Sequence, residues 1–169
     1  MINEIMNRRS VRVFEDKVVE QEKVLNCIKA AMQSPSARNN QPWNFIVVND
    51  KETIEKFTNI SNGTKLPTKT ANTIVCFVMN NKSEFPEFLQ QDMGACVENF
   101  MLQAVAEGLA CVWMGMYPRE DSIKKLAEIL DIPSEYSAFS LVAIGYPTNE
   151  NTNRFIDRFN ESKIHYEKW

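Results

Sequence analysis

The sequence has very little histidine, cysteine and glycine. A single histidine, His165, among 169 residues rules out a metal site built from several imidazoles. The cysteines include no Cys-x-x-Cys pair, and three of them lie inside apolar runs, which is typical of buried thiols in a reducing cytoplasm. The four are Cys27, Cys76, Cys96 and Cys111. We therefore expect neither a metal centre nor a disulfide.

Other common signatures are missing as well. No apolar run is long enough to span a membrane, and the first residues lack the apolar segment of a secretory signal, so we expect no membrane partner and a cytoplasmic location. The net charge of −3 argues against non-specific nucleic-acid binding. The sequence has no glycine-rich phosphate loop of either common type, and no set of nucleophile, histidine and carboxylate.

What the sequence does contain is the material for one folded core. Hydrophobic residues make up 44% and charged residues 24%, which is the composition of a folded protein. The length suits one domain, or one subunit of a small oligomer. Apolar residues at helical spacing predict amphipathic helices, and continuous apolar runs predict buried strands.

The predicted elements alternate between helix and strand. Strands are expected at residues 44–49, 73–79 and 138–144, and residues 110–116 form a further apolar run that holds Gly115. Helices are expected around residues 2–6, at 21–33, after a cap at Asp50 through Phe57, from Pro86 to a stop at Gly108, and from a cap at Asp121 or Ser122 to before Pro133. Residues 59–70 are expected to form a loop. The helix that begins at Pro86 has a broad apolar stripe, so it should be the most buried one.

Two polar segments interrupt this pattern. Residues 34–40 carry small and amide side chains, and Pro35 pushes Ser34 out of the helical region, so an ordered loop should precede the strand. Residues 8–12 hold three guanidinium groups and one hydroxyl, which suit phosphate oxygens. From these residues alone, a plain connection and a solvated basic turn remain the simpler interpretations.

The two segments belong to a larger set that decides between these interpretations. In chain order the set comprises Arg8-Arg9-Ser10-Val11-Arg12-Val13-Phe14, Pro35-Ser36-Ala37 with Asn39 and Gln41-Pro42-Trp43, Gly108-Leu109 with Trp113-Met114-Gly115, Ile144-Gly145-Tyr146-Pro147, Asp157-Arg158-Phe159 and His165-Tyr166. Together these motifs resemble those of the FMN-dependent nitroreductase family, of the small, single-domain bacterial type. They come in the order of that family and cover nearly the whole chain.

The resemblance implies an α+β fold with a mixed, mostly antiparallel sheet flanked by helices. Residues 1–147 would form the FMN-binding domain, and residues 148–169 an extension that reaches the partner subunit. The working unit would be a homodimer with FMN at the interface, in which the loop at Pro35 to Asn39 faces flavin held by the other subunit.

The resemblance also implies which residues bind the cofactor. Arg8, Arg9, Ser10, Arg12 and Arg158 would surround the phosphate and ribityl chain, with Arg154 as the alternative to Arg158. The loop would contribute Pro35, Ser36, Ala37 and Asn39, and the backbone N–H groups of Val112, Met114 and Gly115 would face flavin N5 and O4. Phe88 and Trp113 are expected to line the pocket of the electron acceptor.

The implied activity is electron transfer from NADH or NADPH, through the flavin, to a nitroaromatic, quinone or similar acceptor in alternating half-reactions. Because the flavin carries the chemistry, we expect no catalytic side chain and only a structural role for His165. Two alternatives remain: a reductive dehalogenase or flavin-consuming enzyme on the same fold, and a flavin-binding protein without turnover. The short segment between Asn80 and Pro86 leaves little room for a lid and favours the simple reductase.

Overall fold

The structure, a computed structural model, describes residues 1–150 and 152–169. Within them, four strands form one antiparallel sheet in the spatial order β1-β2-β4-β3. The strands are β1 (Trp43–Val48), β2 (Thr73–Asn80), β3 (Ala110–Gly115) and β4 (Tyr136–Gly145). Each overlaps one of the apolar runs in the sequence, so the three strand predictions are confirmed, and the apolar run at residues 110–116 forms a strand as well.

Helices cover both faces of this sheet. They are α1 (Asn3–Asn7), α2 (Gln21–Ala31), α3 (Lys51–Lys56), α4 (Pro67–Thr70), α5 (Leu89–Ala106) and α6 (Glu120–Leu130). On one face Phe77 of β2 packs with Cys27 of α2 and Phe100 of α5. On the other face Ile74 of β2 packs with Ile54 of α3 and Leu126 of α6. The strand β2 is therefore buried on both sides, and the predicted α+β fold is confirmed.

The helix α5 is the centre of the packing on the face of the sheet that carries Phe77, as its apolar stripe predicts. Eight of its side chains are buried, and they include Met93 and Met101, which fill the core. A 3₁₀ turn at Pro86–Phe88 precedes it, and Gly108 follows it with a φ of 75°. A left-handed glycine at that place ends the helix at no steric cost.

Two local predictions are wrong. Residues 59–70 are not all loop, because α4 (Pro67–Thr70) begins at a proline whose fixed φ suits a first helical turn. Neither Asp121 nor Ser122 caps α6: both lie inside the helix, and the cap residue Arg119 makes no side-chain cap bond. The acidic side chains of that first turn act through the helix dipole instead. The cap at Asp50 is confirmed, since its side chain accepts a hydrogen bond from Thr53 N at 2.8 Å.

The segment after Pro147 first packs against the rest of its own chain and then becomes exposed. Asn153 Nδ2 donates to Leu109 O at 2.8 Å, and Arg154 N donates to Asn7 O at 2.9 Å. Further along, the described part of the segment forms one element of regular secondary structure, a 3₁₀ turn at Glu161–Lys163. Its apolar side chains are exposed: Phe155, Ile156, Phe159, Ile164, Tyr166 and Trp169. Among the helices described, none could span a membrane by length and apolar content.

Candidate functional site

The basic segment, residues 8–12, is fixed along the outer edge of the sheet. Its start lies at the end of α1, where Arg8 N donates to Glu4 O at 2.9 Å. Further along, Ser10 forms an isolated parallel bridge with Cys111 of β3, and Val11 N donates to Cys111 O at 3.1 Å. The arginines of this segment are therefore held beside β3, which is an edge strand.

The segment after Pro147 crosses the same place and completes a basic cavity of about 310 Å³. The cavity is lined by Arg8, Arg9, Ser10, Val11, Arg12, Glu150, Thr152, Arg154, Ile156 and Arg158. Five of these side chains are guanidinium groups and one is a carboxylate. The structure thus brings together the predicted phosphate ligands from opposite ends of the chain, and it places both Arg154 and Arg158 in the lining.

Arg9 is the best-fixed guanidinium in this cavity. Its Nη2 donates to Met6 O at 2.7 Å, and its Nη1 donates to Arg8 O. Its Nε is buried and has no hydrogen-bond partner among the described residues. Burial first, and then the charges of Arg158, Arg8 and Arg154, lower the pKa of Arg9 from its usual value. The cavity therefore concentrates positive charge and leaves one buried donor unpaired.

A second cavity, of about 160 Å³, continues along β3 and shares Arg12 with the first. Its other lining residues are Ser61, Gly63, Val112, Trp113, Met114, Gly115 and Arg119. A Cβ built on Gly115 would meet only Trp113 Nε1, at the ordinary contact distance of 3.9 Å. Packing within the described chain therefore leaves room for a side chain at position 115. Close approach of a ligand is a better explanation for the glycine there.

The backbone of β3 offers hydrogen-bond donors to this second cavity. Cys111 O accepts from Val11 N on the side of β3 that faces away from β4, which we call the free side. Met116 N donates to Phe139 O on the β4 side. Because successive residues of a strand point their backbone groups in opposite directions, Trp113 and Gly115 share the free side with Cys111. Of the predicted backbone donors, Gly115 therefore faces away from β4, and Val112 and Met114 face toward it.

The loop before β1 is ordered by its own polar groups. Arg38, Asn39 and Gln41 have left-handed φ angles of 47°, 60° and 47°. Ser36 Oγ accepts from Gln41 N at 2.9 Å, and Asn39 Oδ1 accepts from Gln41 Nε2 at 2.9 Å. The described linings of the two basic cavities include no residue of this loop. Within one chain the predicted cofactor-binding residues therefore form two separate groups.

Comparison with known proteins identifies the family. The sequence profile of the Nitroreductase family matches residues 5–78 and 64–146, most of the chain. The chain belongs to the nitroreductase family.

Relatives agree with this assignment over their full lengths. A protein of Archaeoglobus fulgidus, provisionally named NADH dehydrogenase/NAD(P)H nitroreductase, is 42% identical over 98% of this chain and 96% of its own. A crystal structure from Clostridium acetobutylicum, provisionally named NADH oxidase, has a TM-score of 0.94 at 41% identity and covers 99% of this chain and 100% of that one. An FMN-dependent nitroreductase of Clostridium difficile has a TM-score of 0.89 at 27% identity, with 100% of both chains covered.

The two aromatic residues predicted for this nitroreductase-family chain lie apart. Trp113 lines the second cavity and packs against Phe139, with ring centroids 5.8 Å apart. Phe88 is exposed at the start of α5 and lines neither basic cavity. Sequence reasoning missed Arg119, which lies in the second cavity and donates from Nη2 to Gly115 O. No motif marks this arginine, and the turn that follows β3 brings its side chain back to Gly115.

Other features of the nitroreductase-family chain lie outside this site. A cavity of about 630 Å³ between residues 14–16 and residues 51–72 carries lysine and carboxylate side chains in equal number, so it lacks the excess of positive charge found beside β3. The four cysteines are buried and free, as predicted. His165 stacks on Trp169 with ring centroids 4.1 Å apart. In the described part of the chain, no cluster of three or more potential metal ligands occurs.

Proposed function

We propose that this protein is an FMN-dependent oxidoreductase that takes electrons from NADH or NADPH and passes them to nitroaromatic, quinone or similar acceptors. The observation that carries the proposal is the pair of cavities along the free edge of β3, joined at Arg12. One is lined by five guanidinium groups, Arg12 among them, and the other by the strand β3 together with Arg12 and one further cation, Arg119.

The first cavity fits the phosphate of FMN. A phosphate monoester carries about −1.5 to −2 charges at neutral pH and offers three acceptor oxygens. The five arginines supply donors in the planar geometry that such oxygens prefer. The buried Nε of Arg9 lacks a partner within the described chain, so a bound anion would satisfy a donor that is otherwise costly to bury.

The second cavity fits the edge of a flavin ring. The backbone N–H groups of Gly115 and Trp113 point away from β4 and can donate to ring acceptors, and Gly115 allows the ring to come close. When bound, FMN supplies the hydride and electron transfer that the side chains of the protein do not provide. Arg12 and Arg119 place two positive charges at this cavity, which favour negative charge on a bound ring.

The electron donor and acceptor are proposed from the family and from the surface of the site. Relatives carry NAD(P)H in their names, and nicotinamide would stack on the flavin, as the family resemblance implies. Trp113, with Phe88 as a further candidate, offers a flat surface to planar acceptors. A flat aromatic surface demands no single pattern of hydrogen bonds, so we expect broad acceptor use, with quinones and nitroaromatics both reduced.

The proposed working unit is a homodimer with FMN at the interface. The loop from Pro35 to Asn39 lies outside the basic cavities of its own chain, which suits a loop that serves the flavin of the partner. Ile2, Ile5 and Leu25 expose apolar side chains on and beside α1 and α2, as a subunit interface requires. Residues 148–169 would extend from the domain of residues 1–147 and wrap the partner. We place this dimer in the cytoplasm, where free thiols persist.

The decisive experiment measures oxidation of NADH and of NADPH by the FMN-loaded protein with a quinone, and then with a nitroaromatic. We expect turnover with both acceptors and parallel double-reciprocal plots, which indicate alternating half-reactions. The variant Arg8→Ala/Arg12→Ala serves as the control with a damaged phosphate cavity. A protein that binds FMN but oxidises neither nucleotide would be a flavin-binding protein without turnover, and the proposed activity would be rejected.

A further inference from the structure

The helix α5 holds the loop before β1 at two points. Asp92 Oδ1 accepts a hydrogen bond from Ala37 N at 3.1 Å. Asn99 Nδ2 donates to Ser34 Oγ at 2.8 Å. Residues seven apart lie on the same face of a helix, roughly 10 Å from each other along its axis. One face of α5 therefore bonds to the loop at both Ser34 and Ala37.

Asp92 is an unusual residue for such a position. Its side chain is 7% exposed, and its second carboxylate oxygen, Oδ2, is buried without a partner among the described residues. A buried carboxylate with an unpaired oxygen costs free energy that an apolar residue in the same place would avoid. The packing of α5 does not need a carboxylate there, and the hydrogen bond to Ala37 is the contact that only an acceptor can make.

The loop needs an external support because its backbone is strained. Arg38, Asn39 and Gln41 all have positive φ, which side-chain-bearing residues adopt at a cost unless the surroundings fix it. Ala37, which Asp92 holds, comes directly before the first of these residues. A displaced Ala37 would let the turn relax, and the orientation of Ser36 and Asn39 would be lost.

We propose that Asp92 is a positioning residue that fixes the loop from Ser36 to Asn39 in its flavin-binding conformation through the backbone N–H of Ala37. The inference rests on the proposed function, since the loop is taken to contact FMN. Asp92 does not itself touch the cofactor in this arrangement. Its acceptor oxygen acts on Ala37, and Ala37 sets the geometry of the residues that follow.

The test uses two substitutions of the same residue that differ in their chemistry. Asp92→Asn keeps a carbonyl oxygen that can accept from Ala37 N, whereas Asp92→Ala removes the acceptor. Two quantities are measured on the full-length protein: hydrogen exchange of the Ala37 amide without FMN, and the dissociation constant of FMN by fluorescence titration. Thermal unfolding of each variant reports on general damage.

Asp92→Ala should lose the protection of the Ala37 amide and bind FMN at least about tenfold more weakly, the loss typical of one hydrogen bond to a charged group. Asp92→Asn should keep the protection and stay within about threefold of the unchanged protein. Rescue by Asn separates the role of the acceptor from that of the charge. Equal FMN affinity and equal Ala37 protection in all three proteins would overturn the proposal.

If Asp92→Ala does not fold, Asp92→Glu replaces it. The longer side chain keeps a carboxylate but moves its oxygens by one methylene, so Ala37 cannot stay in place at 3.1 Å. Equal protection and affinity in this variant would again overturn the proposal. If the unchanged protein binds no FMN, the proposed function fails, and the exchange of the Ala37 amide still decides whether Asp92 holds the loop.

Discussion

Arg8 Nε lies 3.2 Å from Glu98 Oε1, so the basic segment is paired to the long helix α5. Arg8 is 20% exposed and Glu98 is 47% exposed, and a partly exposed pair of this kind contributes little to stability. Its effect is geometric, because it fixes one guanidinium at the edge of the cavity. The same helix holds the loop before β1 through Asp92 and Asn99, so both groups of proposed cofactor ligands are attached to one rigid element.

Arg12 should be the most sensitive of the arginines, because it lines both cavities. We expect Arg12→Ala to weaken FMN binding by about 1–3 kcal/mol, the range for a charge-assisted hydrogen bond. Fluorescence titration at low and high salt measures this loss. The control is Lys124→Ala, which removes an exposed cation of α6 outside the site. An unchanged FMN affinity in Arg8→Ala/Arg12→Ala would show that this cavity does not hold the phosphate.

Asn39 has two possible roles, and the structure supplies a variant that separates them. Its Oδ1 accepts from Gln41 Nε2, so the side chain braces its own loop, while its Nδ2 remains available to a ligand. We expect Asn39→Ala to weaken FMN binding and slow flavin reduction by NADH. Gln41→Met breaks the same internal bond and should have a smaller effect. If the two variants behaved alike, the role of Asn39 would be to brace its own loop and not to contact FMN.

The four buried cysteines should be unreactive in the native protein. Burial raises the pKa of Cys27, Cys76 and Cys96 to about 12, and it raises the pKa of Cys111 as well. A thiol reagent at pH 8 should label the chain only after unfolding, because the thiolate is the reactive form. The native thiols stay neutral where unfolded thiols ionise, so the free energy of unfolding should fall as pH rises above 9.0. Rapid labelling of the folded protein would contradict this burial.

The exposed segment after Pro147 gives a pair of truncations. Removal of residues 148–169 deletes Arg154, Arg158 and the terminal aromatic residues, and we expect loss of the dimer and of FMN together. Removal of residues 161–169 keeps both arginines, so FMN binding should fall less than in the longer truncation, while dimerisation weakens. Light scattering and absorbance measure the two properties. A chain without residues 148–169 that stays dimeric and yellow would exclude both proposed roles.

The fold could be predicted from the sequence because its strands are mainly apolar runs and two of its helices, α3 and α5, begin or end at strong local signals. Asp50 and Gly108 act as those signals predict. The cap of α6 could not be placed, since Glu120, Asp121 and Ser122 are all acceptable at a helix start and the choice depends on the preceding turn. The short helix α4 was missed because four residues carry no measurable period.

The candidate site was predicted less completely than the fold, for a physical reason. Its basic residues carry a local motif, but their meeting with Arg154 and Arg158 is a contact across most of the chain. That contact was expected through the family resemblance and not through spacing or composition. The direction of each backbone N–H in β3 depends on strand register, and the place of Arg119 depends on the turn after Gly115. Neither can be read from residue types.

The absorbance spectrum of the purified protein, incubated with FMN and freed of excess by gel filtration, tests the proposed function most directly. The cavities along β3 predict a yellow protein that retains equimolar FMN, and whose visible flavin bands bleach when NADH or NADPH is added without oxygen. Arg8→Ala/Arg12→Ala, treated in the same way, should emerge with much less flavin. A colourless protein after this treatment would contradict the proposed cofactor, and a yellow protein that neither nucleotide bleaches would contradict the proposed reaction.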